Sequence, residues 1–214
     1  MRTSIGALAV VGVLGSTCLA ASSVASGSHE SHCNPTGSKV VARDKVIRIF
    51  SLPGEEGERI LGCVEPSGRA QQISPIPAGK FRAQLVRPIV VNREWVAAAQ
   101  LTQTGRDTHG LAVVSRDLRT RQAKKCDVGA GLSPSQAGKV VRVVLTGNGS
   151  VAWAGRGRIG LATKSAPVPQ IVACDHDGQR ILDSGDGLEL TTLSLDGSTV
   201  SWLNSGIKHS ATLR

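Results

Sequence analysis

Metal binding, acid–base catalysis and disulfide formation each need particular side chains at particular spacings, and this chain offers a handful of candidates. The densest is His29-Glu30-Ser31-His32-Cys33. A zincin helix needs two histidines four residues apart, with the glutamate after the first. His29 and His32 do not have that spacing. Were a leader cut after Ser26, the chain would begin Gly27-Ser28-His29, and its amine, two amide nitrogens and imidazole could hold Cu(II) or Ni(II) in a square plane. The segment lies beside the expected mature terminus, where chains are commonly disordered, so no metal ligand is assigned there. Asp175-His176-Asp177-Gly178 offers two carboxylates and an imidazole, but Asp and Gly are what a β-turn needs, and a turn is expected. Asp183-Ser184-Gly185-Asp186-Gly187 lacks the acidic alternation and closing glutamate of a calcium loop. Neither a G-x-S-x-G elbow nor a supported S-x-x-K is present, and no glycine-rich phosphate loop joins a strand to a helix. Asn148-Gly149-Ser150 matches the glycosylation pattern, although an Asn-Gly turn explains it. No catalytic, cofactor-binding or metal-binding residue is therefore expected, and no cofactor.

Cysteine chemistry is more informative, and it depends on where the chain goes. Arg2 followed by the apolar or small run Ile5 to Ala21 resembles a secretory signal peptide. Ser23-Val24-Ala25 fits the small-x-small cleavage rule, which assigns residues 1–25 to the signal peptide. The run is short, glycine-containing and without a basic stop-transfer flank, so a stable membrane span is not expected of it. No other segment is apolar enough or long enough to span a bilayer. A lipid anchor on Cys18 is the alternative, although Gly15-Ser16-Thr17 lacks the leucine usual in a lipobox. Cleavage leaves Cys33, Cys63, Cys126 and Cys174, an even number that in an exported chain suggests two disulfides. Four cysteines allow three pairings. The favoured one joins Cys33 to Cys63 within the first repeat unit and Cys126 to Cys174 across adjacent units, provided their Cα atoms come within about 7 Å.

The elements that must position these residues are strands. Residues 26–36 read as a flexible N-terminal segment and 37–214 as a single all-β repeat domain. One element is a turn followed by a β-branched strand ending in Trp: Asn148-Gly149-Ser150-Val151-Ala152-Trp153, and again Asp196-Gly197-Ser198-Thr199-Val200-Ser201-Trp202. Weaker copies are Gly37-Ser38-Lys39-Val40-Val41-Ala42 and the run ending at Trp95. Asn-Gly and Asp-Gly supply the positive φ that tight hairpins demand. A second element is an outgoing strand at Val46 to Phe50, His109 to Val114 and Arg158 to Thr163. A third is a strand closing on Cys63, Cys126 or Cys174. About three and a half such units follow one another at a spacing near that of a β-propeller blade, roughly 40–50 residues. A propeller-like fold is the expectation, with an open stack of twisted sheets or a β-sandwich as the alternative. Trp95, Trp153 and Trp202 are expected to be core residues.

Further motifs carry a resemblance. Ile181-Leu182-Asp183-Ser184-Gly185, Leu188 to Leu195, Gly197 to Trp202 and Ser210-Ala211-Thr212-Leu213, with Arg59 to Cys63 and Ser67-Gly68-Arg69, resemble a group of uncharacterised exported actinobacterial β-repeat proteins. The resemblance implies an exported β-repeat protein and no particular activity.

Charge narrows the partners. The formal net charge is +9, and cleavage removes Arg2 to leave +8. A basic exported protein attracts anionic polymers and surfaces. The densest basic run, Arg116 to Lys125, is expected to be a solvated hairpin. With no Tyr and only Phe50 and Phe81, the chain lacks base-stacking platforms, so nucleic acid is not expected as a partner. The resulting expectation is a secreted or cell-envelope protein acting as a binding or interaction module. Its candidate partner is an anionic or carbohydrate polymer of the envelope. The alternative is a secreted enzyme with its site on propeller loops.

Overall fold

Segments of alternating apolar and polar residues between turn-forming ones supply the strands of the computed structural model, which describes residues 33–54, 57–65, 68–73, 83–103, 105–159 and 165–214. The expected signal peptide, Cys18 and the His29–His32 cluster lie outside the described residues. So do Pro66, Ser67 and residues 160–164.

Fifteen strands form four antiparallel sheets among the described residues, each a meander of consecutive strands. The first sheet contains β1 (Lys39–Arg43), β2 (Ile47–Gly54), β3 (Gly57–Val64) and β4 (Gln71–Gln72). The second contains β5 (Ala83–Asn92), β6 (Trp95–Gln103), β7 (His109–Asp117) and β8 (Ala123–Gly131). A single helical turn, α1 (Pro134–Ala137), leads into the third, made of β9 (Lys139–Leu145), β10 (Val151–Gly157), β11 (Val168–Asp175) and β12 (Gly178–Ser184). The last has three strands: β13 (Ser194–Asp196), β14 (Thr199–Asn204) and β15 (Ile207–Thr212).

Alternation along each strand gives every sheet two faces, and the apolar faces define the packing order. Ile47, Ile49 and Ile60 of the first sheet meet Val96 of the second and Leu118 in its β7–β8 turn. Ala97, Ala99, Val113 and Val128 on the other face of the second sheet meet Val143, Val151, Trp153 and Val172 of the third. The third sheet turns Ala152, Ala154, Ile171 and Ala173 towards Val200 and Trp202 of the fourth and Leu193 just before it. It is therefore covered on both faces, and Val151 to Gly155 and Pro169 to Asp175 are buried without a break. The small Ala97 and Ala99 share a core with the fully buried Trp153, which leaves volume for the indole between layers.

Both disulfides belong to this packing. Cys33 is bridged to Cys63 with Cα atoms 5.3 Å apart, beside Phe50 and Leu61 on the outer face of the first sheet. Cys126 of β8 is bridged to Cys174 of β11, Cα to Cα 6.1 Å, and ties the second sheet to the third.

The repeat differs from its expected register. Cys63 and Cys174 lie on third strands, but Cys126 lies within the fourth strand of its sheet. The three cysteines are thus not one recurring strand. Gly37 to Ala42 leads into a first strand, whereas Trp95, Trp153 and Trp202 all lie on second strands. Arg158 and Ile159, expected to begin an outgoing strand, follow the end of β10 and are not in a strand. Turn chemistry marks hairpins well, but it does not say which hairpin of a meander it marks, and unequal strand and loop lengths shift the copies against one another.

Candidate functional site

Six hairpin turns, after β1, β5, β7, β9, β11 and β13, reach the same end of the sheets, where cross-sheet hydrogen bonds tie them together. Asp44 Oδ2 accepts from Arg93 N at 2.9 Å, and Ser115 Oγ donates to Gly149 O at 2.9 Å. Gly149 has φ +83°, and a Cβ there would lie 2.4 Å from the Trp95 ring. The Asn-Gly turn is needed for its conformation and for that close approach alike.

The fold absorbs the sequence candidates among the described residues into structure. The Asp175-His176-Asp177-Gly178 segment is the β11–β12 turn. Buried Asp175 accepts from Arg180 Nη1 at 2.6 Å and from Arg214 N at 2.9 Å, while His176 N donates to Arg214 O at 2.9 Å. Arg214 also pairs with Asp177 at 3.0 Å. The cluster fastens the end of the chain to the third sheet. Burial pushes the Asp175 carboxyl up, but the bonds from Arg180, Arg214 and Asp177 outweigh it and hold the group below its ordinary value. Asp183 accepts from Trp202 Nε1 at 2.7 Å and from Asn204 Nδ2 at 3.1 Å. Burial again pushes its carboxyl up, and the Trp202 and Asn204 bonds bring it below the usual range. The basic hairpin β7–β8 is exposed at Arg119, Arg121, Lys124 and Lys125. Arg119 pairs with Glu94 at 3.3 Å, Lys125 with Asp127 at 2.9 Å, and Lys124 sits over Trp95 at 5.8 Å. Among the described residues no group of three or more His, Cys, Asp or Glu side chains could hold a metal ion.

The opposite end is built differently. A cleft of about 580 Å³ opens between the second and third sheets, within the size range of small-ligand sites. Its walls are hydrocarbon: Val86, Leu101, Leu111, Pro134, Val140 and Pro167. At its rim stand Arg87, Lys139 and Arg156, all exposed, and no acidic side chain is among its described lining residues. Three local features place these cations. A register shift in β5 between Val86 and Ile89 locally bends the strand at Arg87. Ser133 caps α1 by accepting from Gln136 N at 3.3 Å, and Pro134 follows at the first helical position. Gly138 then turns with φ +114°, where a Cβ would lie 2.5 Å from Arg156 O, so the chain passes close against β10 on its way into β9. As a result Lys139 and Arg156 are direct cross-strand partners. Like charges directly opposite one another oppose sheet pairing. Among the described residues neither side chain has an ion-pair or hydrogen-bond partner, and the same holds for the side chain of Arg87.

No protein-family model, curated protein or solved structure matches this chain. The cleft therefore has to be read from its own chemistry. Its described lining offers cations and apolar walls but no carboxylate, imidazole or thiol to serve as acid, base or nucleophile. No Trp face lines it: Trp153 and Trp202 are buried, and Trp95 packs beneath Lys124 and Gly149 at the other end. Arg87, Lys139 and Arg156 went unnoticed in the sequence because nothing in their neighbours sets them apart from the other cations. Strand register and sheet packing alone bring them to one rim.

Proposed function

We propose that this protein is an exported binding module that takes an organic anion in the cleft between its second and third sheets. The observation that carries this reading is the convergence of Arg87, Lys139 and Arg156, unpaired among the described residues, on one apolar cleft. Three uncompensated cations raise the local concentration of anions and discriminate against cationic ligands. The described lining carries no aromatic face, which favours an anionic envelope component over a neutral sugar, which would need a stacking platform. A secreted enzyme is the weaker alternative, since the described lining supplies no acid–base pair. Two disulfides suit an oxidising compartment, and no helix among the described residues is long and apolar enough to cross a membrane. The disulfides support export by the leader expected at 1–25. We read the four meanders as blades of an incomplete propeller with β1, β5, β9 and β13 innermost; successive pairs of these strands lie against each other.

The test compares two variants of equal charge by titration with poly-L-glutamate. Arg87→Gln/Lys139→Gln/Arg156→Gln should lose at least about tenfold in affinity, and the salt dependence of binding should become shallower. Arg119→Gln/Arg121→Gln/Lys125→Gln, at the hairpin end, should bind nearly as wild type. Equal losses in both would reduce the interaction to net charge and remove the cleft from it.

A further inference from the structure

Beyond the three cations, the described lining of the cleft has almost nothing to offer a polar ligand. Its volume leaves room for on the order of 20 waters, yet the walls of Val86, Leu101, Leu111, Val140 and Pro167 give those waters few hydrogen-bond partners. Poorly held water is displaced favourably by an apolar group. A polyol or polyphosphate drawn into this space would exchange good solvation for hydrocarbon and leave its own polar groups unsatisfied. The charges, in contrast, stand only at the rim. Arg87, Lys139 and Arg156 are exposed there, and their aliphatic stems extend the apolar wall outward to the guanidinium and ammonium heads. Lys139 opposite Arg156 is an arrangement that a shared anion relieves, because one anionic head can accept from both while Arg87 approaches from the other sheet.

Building on the proposed binding role, we infer that the ligand is a small amphiphile: an anionic head held by Arg87, Lys139 and Arg156, and an acyl-like body buried between the second and third sheets. The head can be a carboxylate or a phosphate, free or on a lipid. The body, not the polymer behind it, sets the selectivity of the cleft.

Calorimetry with octanoate, decanoate and dodecanoate below their micellar concentrations tests this directly. Affinity should rise about fourfold per added methylene, the factor that corresponds to burying one CH2 group, at one ligand per chain. Dodecyl maltoside, with the same body and a neutral head, should bind at least about tenfold more weakly, as the loss of charge-assisted bonds requires. Ser135→Trp, at an exposed lining position on α1, should block dodecanoate while leaving the circular dichroism spectrum unchanged. Affinities that stay flat along the series overturn the buried acyl body. If poly-L-glutamate still distinguishes the two triple variants in that case, anion binding at the rim stands without it. Association with phosphatidylglycerol vesicles but with no monomeric carboxylate would equally overturn the inference, because the charge alone would then be recognised at a surface.

Discussion

At the residue scale, the carboxylates Asp175, Asp177 and Asp183 of the two acidic turn motifs are used by the fold as fasteners. Asp183 is the clearest case. Its carboxylate on β12 holds the Trp202 indole and the Asn204 amide of β14, so one side chain joins the third sheet to the fourth. A carboxyl with its folded pKa depressed contributes stability that is present above the unfolded value, near 3.9, and is lost as pH falls through the folded one. Asp175 and Asp117 are lowered in the same direction. The protein should therefore lose stability progressively as pH falls below about 4. Asp183→Asn should show a smaller loss over that range than wild type, together with a lower stability at neutral pH of about 1–3 kcal/mol, the usual cost of weakening a charged hydrogen-bond acceptor. Urea melts followed by tryptophan fluorescence at several pH values measure both. An unchanged pH slope in the variant would show that Asp183 does not link the two sheets energetically.

At the element scale, hairpins were legible and their assignment to sheets was not. Asn148-Gly149, Asp177-Gly178 and Asp196-Gly197 each mark a real turn, because positive φ at the glycine leaves a signature in residue type. Strand neighbours within a meander follow from short connections. The equivalence of the three cysteine strands failed because each cysteine is placed by what it faces and not by its rank in a sheet. Cys126 comes from a fourth strand and Cys174 from a third because those two positions meet across the layer. The same layer is closed at the edge by Gln179 of β12, which accepts from Asp127 N at 3.0 Å and donates to Asp127 O at 2.6 Å. An amide side chain thus pairs both polar groups of one residue on β8, and no local motif announces it. Replacing Cys126 and Cys174 by Ser should lower stability by about 2–4 kcal/mol, since the bridge is the covalent tie between the second and third sheets. A non-reducing peptide map should find Cys126 with Cys174 and Cys33 with Cys63. Free thiols at these positions would contradict the pairing.

At the scale of the whole molecule, four layers packed in chain order produce a gradient of burial. The third sheet is covered on both faces, whereas β13 and β15 are largely exposed. Amide exchange should therefore be slowest in β10 and β11 and fastest in the fourth sheet, with the order preserved under mild denaturant. Uniform protection across the sheets would mean that the layers unfold as one unit. The cleft belongs to this scale as well, since it lies at the seam between two layers. The sequence by itself determined the all-β class, the hairpin turns and the basic charge, because each is written in residue type and short-range spacing. Only the tertiary structure decided which strands share a sheet, which cysteines meet, and that Arg87, Lys139 and Arg156 face one cavity. Those outcomes depend on register and on layer packing between residues far apart in the chain, and a shift of one residue in register would turn the same side chains to the other face.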